Sequence, residues 1–586
     1  MINFQKKLNE KNIIILFFIF FLFLVHQIYY IFIGGTTWDE PASILSGVKQ
    51  IQKIYLFFFD SSNLALQNIQ LPEYYGGLVF IPAVVSNMSS KVLGLVAVLL
   101  SDVSTVNSSN ELEIALIIRH ILLNIYIVSI LYLTYQKLSK LIGKNKTLVF
   151  LLFLLLIPSF NGHAMFNFAD IPLAMQFLLS SILFLSYLNN RSNKAVLILG
   201  FVFGLTLLTR VNAVAFLGAL SLFELLYVNS YNKEISGALI KDLIIKNSKI
   251  YTISLVTLVL GSPSSWKSIA EWFYGAYVYQ FKHPQKAPTV LNGKLIIADE
   301  APRTYLLEWL TYKLPVAFLV LVFVAISLQL FKKDFGNVVT KFSVFFLGYV
   351  NLAFLIYNPV AYDEIRHYLF LLPFLSILVT ELIFYLSKES IVKSSVAILI
   401  LLSYLVSTQY GLGAYKYVYL NEFVNKSTIS VECEEYISQS GCGDWHTDYW
   451  GFGGKELVKL SEKYSHEIIY FCPPQFTYSL FQEKNRPWTL INGYFSFDDA
   501  YPFQQDHTYY YQSHMLEKIN SSDFEQISFI SLNYHRPPTD SCGLTKLDKN
   551  KFDIECNIID GVKTSLRGKD IWINYLSRCS VSTKNL

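Results

Sequence analysis

The stretch IIILFFIFFLFLVHQIYYIFIGGTTWDE, residues 13–40, joins a long apolar run to a pair of carboxylates. The apolar part, residues 13–33, is as long as the roughly 20 residues that a membrane-spanning helix needs. Three lysines precede it, as in a signal peptide, but it is too long for the apolar part of such a peptide and no small-x-small cleavage site follows. We therefore interpret it as an uncleaved signal anchor, with Asp39 and Glu40 just outside its end.

The composition favours a membrane protein. Of the 586 residues, 53% are hydrophobic, 16% are aromatic and only 15% are charged, which is too little polar surface for a soluble chain of this length. The formal net charge of +4 gives no reason to expect nucleic acid as a partner. The lipid bilayer is the expected surrounding.

Hydropathy predicts an α-helical polytopic membrane domain, residues 1–420, of the kind that crosses the bilayer about eleven times. A further apolar segment, residues 78–100, is interrupted by polar residues, and we expect it to form helices in the interface within a long outer loop, 34–112. A second long outer loop covers 263–313. The predicted spans start near Ile13, Glu113, Thr147, Ile171, Ala195, Val211, Ile250, Leu314, Phe342, His367 and Val396.

The distribution of Lys and Arg predicts the orientation. Every second connecting segment, beginning with the N-terminus, contains two to four of these residues, whereas the short loop 158–170 on the opposite side contains none. Because positive charge accumulates on the cytoplasmic side, the N-terminus is expected in the cytoplasm. An odd number of spans then places the C-terminus outside.

Residues 421–586 are predicted to form a soluble α/β domain on the outer face. All six cysteines fall in this part of the chain, which indicates an oxidising compartment and up to three disulfides with undetermined pairing. Six buried free thiols are the alternative. The absence of a C-x-x-C spacing argues against a zinc site.

The unusual polar residues converge on the outer side of the predicted topology. They come from five separated segments, and intramembrane ionisable groups usually line a cavity or pathway. The simpler alternatives are that Arg119 snorkels to the interface and that Asp170 only caps a helix. The residues are Asp39, Glu40, Arg119, His120, His163, Asn167, Asp170, Arg210, Asp363, Glu364, Arg366 and His367.

Such a set suits transfer from a lipid-linked phosphate donor. A carboxylate can act as a general base towards an acceptor hydroxyl or amine, while arginines hold a phosphate and stabilise the charge that develops on it. The chain has no P-loop, no G-x-G-x-x-G after a strand and no H-E-x-x-H, so no site for a soluble nucleotide donor is visible. A divalent cation, Mg or Mn, could be held by Asp39, Glu40 and Asp170, although no ligand spacing demands one.

The ordered set of motifs resembles the GT-C superfamily of membrane glycosyltransferases, and most closely bacterial relatives of the protein O-mannosyltransferases of the glycosyltransferase 39 family. The resemblance covers the membrane part and fades beyond residue 460. The stretches that carry it are WDEPASILSG (38–47), PEYYGGL (72–78), RHILLN (119–124), GHAMFNFADIPLA (162–174), LNGKLIIADEAPRTYLLEWL (291–310), YDEIRHYLFLLP (362–373), YKYVYLN (415–421) and DYWGFGGKEL (448–457).

The resemblance implies a polyprenyl-phosphate sugar as donor and a glycan, lipid or protein as acceptor, at the outer face of the bacterial cytoplasmic membrane. It implies Asp39 as catalytic base, with Glu40 assisting or orienting it, and Asp170 as a second important acid. Arg119, His120, Arg210, Arg366 and His367 are candidates for contacting the donor phosphate, and His163, Asn167, Tyr74, Tyr75, Asp363 and Glu364 are further outer-face candidates.

One departure from the related sequences affects the donor site. They tend to carry Pro-Lys where this chain has Phe168-Ala169. If that lysine contacts the donor phosphate in the relatives, this protein must use another cation.

Two other classes of function compete with a transferase. A secondary transporter or flippase would use the polar residues as a substrate pathway, but it predicts internal repeats and broken helices at mid-membrane, which the sequence does not display. A non-catalytic scaffold would leave the acidic pair and Arg119 without a role.

Overall fold

The computed structural model describes most of the membrane part and several pieces of the C-terminal part. The predictions for Asp39, Tyr74, Tyr75, the interfacial helices of 78–100 and four of the six cysteines lie outside the described residues. The described residues are 2–37, 40, 108–210, 213–231, 237–266, 268–279, 288–292, 294–332, 335–388, 390–425, 429, 445, 447–464, 466–471, 489–491, 494–496, 509–511, 526–534 and 550–584.

The described chain is mostly helical. Short 3₁₀ segments, including Arg366–Leu371 and Gly413–Val418, connect some of the helices. The α-helices are α1 (Ile2–Ile33), α2 (Ser108–Ile142), α3 (Lys144–Leu155), α4 (Pro158–His163), α5 (Asp170–Asn189), α6 (Asn193–Leu207), α7 (Ala213–Tyr231), α8 (Gly237–Leu260), α9 (Ile269–Phe273), α10 (Tyr305–Lys313), α11 (Val316–Phe331), α12 (Val338–Tyr357), α13 (Leu372–Leu386), α14 (Ile391–Gln409) and α15 (Gly454–Ser461).

Seven helices in the described part are long and apolar enough to cross a membrane, so the chain is a multi-pass helical membrane protein. The segments predicted as spans are helical where the structure describes them, but the count of about eleven spans is not confirmed. Three apolar helices are shorter, Asn193–Leu207, Ala213–Val228 and Val316–Phe331, and α3 has only 12 residues. The seven are Lys11–Ile33, Leu116–Ile142, Asp170–Asn189, Ile240–Leu260, Val338–Tyr357, Arg366–Leu386 and Ile391–Gln409.

Two of these segments form the interior of the bundle. Asp170–Asn189 and Arg366–Leu386 are almost entirely buried, and aromatic side chains such as Phe177 and Phe370 stack between them. By contrast, α1 exposes large apolar side chains, for example Phe21, along one face. The polar residues that begin the two inner segments are thereby held at the centre of the bundle.

A small residue allows α6 and α8 to pack closely. A Cβ atom added at Gly204 would lie 2.3 Å from the Cβ of Thr257, and Ser254 on α8 donates a hydrogen bond to the carbonyl of Gly200. Small residues four apart are a common device for bringing two membrane helices together.

The C-terminal part contains a five-stranded sheet in the order β6-β3-β7-β9-β8. β6, β3 and β7 are parallel, β9 and β8 are antiparallel to their neighbours, and α15 packs against the sheet, as the α/β prediction requires. Two further antiparallel pairs are β1-β2 and β4-β5. The strands are β1 (Pro288–Leu291), β2 (Lys294–Ile297), β3 (Ile469–Phe471), β4 (Thr489–Ile491), β5 (Tyr494–Ser496), β6 (Tyr509–Tyr511), β7 (Gln526–Tyr534), β8 (Phe552–Leu566) and β9 (Lys569–Thr583).

One of the predicted disulfides is present. Cys556 and Cys579 face each other across β8 and β9 and are bonded. The alternative of six free thiols is therefore wrong for this pair.

Candidate active site

Glu40 is fixed in place by its neighbours from α2 and from the end of α1. Its carboxylate lies 2.5 Å from Nε2 of His120 and accepts a hydrogen bond from the N–H of Thr37 at 2.7 Å. Burial alone would raise the pKa of Glu40, but His120, Arg119 and the Thr37 N–H together hold that pKa below its usual value. Glu40 is therefore an ionised carboxylate whose two oxygens are both in use.

Arg119 is buried rather than snorkelling. Only 1% of its surface is exposed, and Nη1 donates to the main-chain oxygen of Glu40 at 3.0 Å. Its guanidinium lies 3.8 Å from the ring centroid of Phe168, on which His120 also stacks. This cation–π contact fixes the position of the arginine against Phe168.

Asp170 does more than cap a helix. Asn167 lies just before α5, where its Oδ1 accepts from the N–H groups of Ala169 and Asp170 and its Nδ2 donates to Oδ2 of Asp170 at 3.0 Å. The other carboxylate oxygen of Asp170 lies 3.0 Å from Nη1 of Arg210 and 3.6 Å from Nδ1 of His367. The capping alternative is thus wrong, and the predicted acid faces predicted bases.

Two guanidinium groups converge on a single imidazole. Nη1 of Arg210 lies 2.6 Å from Nδ1 of His367, and Nε of Arg366 lies 3.3 Å from its Nε2. Arg366 also pairs with Asp363 at 2.9 Å and lies over the ring of Trp450 at 4.6 Å. The structure therefore brings together three of the five candidate phosphate-binding residues in one cationic cluster.

A tight turn precedes this cluster. Asp363 and Glu364 have φ values of 53° and 63°, a left-handed conformation that is uncommon for two consecutive residues other than glycine. The turn is held because the Glu364 N–H donates to Tyr305 Oη at 3.0 Å and the Asp363 N–H donates to Thr289 Oγ1 at 3.3 Å. Strained backbone of this kind concentrates at functional sites.

The carboxylate of Glu364 forms a buried ion pair that the sequence analysis missed. Nζ of Lys313, at the end of α10, lies 2.5 Å from its Oε2, and both side chains are almost fully buried. Burial raises the pKa of Glu364 to about 7 although Lys313 opposes the shift, and burial also lowers the pKa of Lys313. A signal was present, since Lys313 is a cation at the predicted outer end of a span, against the usual charge bias.

His163 lies against aromatic residues from the C-terminal part. Its Nε2 is 3.4 Å from Tyr449 Oη, and its ring packs edge-on against Trp450. Burial lowers the pKa of His163 to about 3, although Asp170 opposes this, so the ring is neutral at pH 7. Tyr449 and Trp450 belong to the quoted DYWGFGGKEL motif, but the sequence analysis did not include them among the site residues.

The segment that carries these aromatics is anchored to the chain just beyond α1. The N–H of Gly35 donates to the carbonyl of Phe452 at 3.0 Å, and a Cβ at Gly34 would lie 2.2 Å from the Phe452 ring. Asp448 organises the loop by accepting from Tyr417 Oη at 2.6 Å and from the N–H groups of Phe452 and Gly453. Glycine is required at both positions, because a Cβ atom at Gly34 would meet the Phe452 ring and one at Gly35 would lie 2.6 Å from the Phe452 carbonyl oxygen.

The described residues do not suit a divalent cation. They contain no group of three or more His, Cys, Asp or Glu side chains that could hold a metal. The oxygens of Glu40 are engaged by His120 and Thr37, and those of Asp170 by Asn167 and Arg210.

No protein-family model matches this chain, and no curated protein matches it. The function must therefore be argued from the site itself.

Proposed function

We propose that the protein is a glycosyltransferase that moves a sugar from a polyprenyl-phosphate donor to an acceptor hydroxyl at the outer face of the membrane. The proposal rests on the cationic cluster of Arg210, Arg366 and His367, on the acids around it, and on the resemblance to GT-C enzymes. The acceptor would be a glycan, a lipid or a protein.

The observation that carries the proposal is the pair of guanidinium groups on His367. A neutral imidazole has one acceptor nitrogen, and an arginine offers only donors. The ring nitrogens of His367 face Arg210 at 2.6 Å and Arg366 at 3.3 Å. Whichever ring nitrogen carries the proton, its N–H therefore faces an arginine N–H, so that two donors oppose each other. A phosphate oxygen between the two guanidinium groups would accept from both and remove this conflict.

The reaction would be a single displacement. An oxygen of the acceptor hydroxyl attacks the anomeric carbon of the sugar, the bond from that carbon to the phosphate oxygen breaks, and the lipid phosphate leaves with the electron pair. The hydroxyl proton passes to Asp39, and the configuration at the anomeric carbon inverts. Arg210 and Arg366 would stabilise the charge of the leaving phosphate.

Glu40 fits a positioning role better than that of a base. Its carboxylate is committed to His120 and Thr37, and Arg119 holds its main-chain oxygen. These contacts fix the residue that directly follows Asp39 in the chain. Glu40→Gln should therefore weaken transfer by loosening this segment, whereas Asp39→Asn should remove the base.

The test is sugar transfer in membranes from a panel of radiolabelled polyprenyl-phosphate sugars. We expect transfer by the wild type, a loss of about 100-fold or more in Asp39→Asn, and an unchanged rate in Asp299→Asn. Asp299 is a suitable control because it is an exposed carboxylate of the outer loop. Equal activity of Asp39→Asn and wild type would remove Asp39 from the mechanism, and no transfer from any donor would favour a transporter.

A further inference from the structure

A second polar cluster lies between α1, α4 and the segment Gly413–Val418, apart from the candidate active site. Nζ of Lys416 contacts Nε2 of His26 and donates to Oδ1 of Asn161 at 3.2 Å. Nε2 of Gln27 donates to the main-chain oxygen of the same asparagine at 3.2 Å. The ring of Tyr30 covers the ammonium group at 5.3 Å. The proposed transfer uses none of these residues.

Lys416 is a buried cation without a counter-ion in the described part of the chain. It is 6% exposed, and the two hydrogen-bonding partners of its ammonium are neutral acceptors. Burial lowers the pKa of Lys416 to about 7, with no carboxylate to oppose the shift. Since a buried charge is costly unless it is paired, an anion at this place would stabilise the cluster.

His26 adds a donor that also lacks a partner. An ammonium group can only donate, so Nε2 of His26 must be the acceptor and the ring proton must reside on Nδ1. Nδ1 is buried and makes no hydrogen bond among the residues that the structure describes. Among the described residues, the cluster therefore contains an ammonium group without a counter-ion and an imidazole N–H without an acceptor.

Gln27 has a side-chain oxygen that needs a hydrogen-bond donor. Its Oε1 is buried and has no donor within the described chain, although its Nε2 is bonded to Asn161. A ligand that satisfies all three residues would carry an anionic oxygen for Lys416 and His26 and a hydroxyl for Gln27. A phosphate whose headgroup bears a hydroxyl has this chemistry.

The place of the cluster on α1 indicates that the ligand arrives from the bilayer. Val25 and Tyr29, on either side of the cluster residues, are 50% and 62% exposed on the apolar face of α1. Tyr30 is half-buried at the same surface, and its ring packs against the His26 ring, at 4.9 Å between centroids, and against the ammonium group of Lys416. We propose that Lys416, His26 and Gln27 bind the hydroxyl-bearing phosphate headgroup of an anionic membrane lipid.

This site is separate from the proposed donor site. His26 lies seven residues before the end of α1 at Ile33, which is about 10 Å along the helix axis. Glu40 lies beyond that end, and the two clusters share no residue. Binding of the lipid can therefore be measured without sugar transfer, so failure of one proposal does not decide the other.

The experiment uses the full chain in nanodiscs of phosphatidylcholine, with or without phosphatidylglycerol. Thermal unfolding is followed by tryptophan fluorescence, and retained lipid is measured by native mass spectrometry. Lys416→Met removes the cation, and Lys463→Met is the matched control because it makes the same charge change at an exposed residue paired with Asp560. Glycerol 3-phosphate added to phosphatidylcholine discs tests a free phosphate as the source.

We expect phosphatidylglycerol to raise the unfolding temperature of the wild type and of Lys463→Met but not of Lys416→Met. Retention of the lipid by Lys416→Met should fall about tenfold or more, the usual effect of losing one hydrogen bond to a charged group. In phosphatidylcholine alone, Lys416→Met should be at least as stable as the wild type, since it loses a buried charge.

Equal gains for Lys416→Met and Lys463→Met in phosphatidylglycerol would overturn the proposal. It would equally be overturned if glycerol 3-phosphate alone reproduced the whole effect, because the ligand would then not be a lipid. If Lys416→Met does not fold, Lys416→Gln provides the same comparison, as it keeps a hydrogen-bond donor without the charge.

Discussion

The buried ion pair between Lys313 and Glu364 allows a quantitative prediction. Replacing Lys313 with Met leaves a carboxylate in a site where both side chains are 1% to 2% exposed. Breaking a buried pair by removing one partner typically costs about 3–5 kcal/mol in the free energy of unfolding. We expect this loss in the free energy of unfolding at any pH at which Glu364 stays ionised in the folded variant.

The cost should depend on pH in a defined direction. Burial already raises the pKa of Glu364 to about 7, and loss of the ammonium group should raise it further. A carboxyl group with a raised pKa in the folded state stabilises the fold when protonated and loses this contribution as the pH rises. In the wild type this loss of stability ends near the folded-state pKa of Glu364. In Lys313→Met that pKa is higher, so the free energy of unfolding keeps falling to higher pH, by about 1.4 kcal/mol per pH unit.

The assay is denaturant unfolding in detergent, followed by tryptophan fluorescence, for wild type, Lys313→Met, Glu364→Gln and the double variant. The difference between wild type and Lys313→Met should be small at about pH 6 and should reach about 2 kcal/mol at about pH 8.5, since it grows by about 1.4 kcal/mol per pH unit above the wild-type pKa. The double variant should recover most of the loss, since two neutral groups replace the pair. An equal difference at both pH values, or no recovery in the double variant, would refute the reasoning.

Two further predictions concern the C-terminal part. Gly34→Ala places a Cβ atom 2.2 Å from the Phe452 ring and should lower the free energy of unfolding by about 1–3 kcal/mol, whereas Gly348→Ala, where nothing lies within 4 Å, should not. Equal unfolding midpoints of these two variants would contradict the close packing. Reduction of the bond between Cys556 and Cys579, 23 residues apart, should cost about 3 kcal/mol. The check is amide hydrogen exchange in β8 and β9, and unchanged protection after reduction would count against this estimate.

The sequence predicted that Asp170, Arg210, Arg366 and His367 lie close together, because each is a charged or titratable residue at the predicted outer end of an apolar segment. Helix length and charge bias were enough to place those ends on one side. The pairing between them was not predictable, since it depends on how α5 and the segment after Glu364 pack at the centre of the bundle.

The site residues that were not predicted are those whose roles depend on contacts between segments far apart in the sequence. Lys313 was overlooked because a lysine beside an apolar helix is usually an interfacial residue, and only the packing of α10 against the Asp363–Glu364 turn buries it. Trp450 was assigned to a separate domain because it follows the last apolar run. The contact of Phe168 with the guanidinium of Arg119 was not predictable either, because the two residues lie on different segments of the chain.

The contact between Gly35 and Phe452 has a consequence for biosynthesis. The two residues join the segment after α1 to one that the ribosome makes roughly 400 residues later, a delay of about 20–80 s at ordinary elongation rates. Throughout that interval, α1 and the helices after it would be inserted while Trp450 does not yet exist to cover Arg366. A nascent chain stopped before this loop would hold its helices in the bilayer but lack one wall of the cationic cluster.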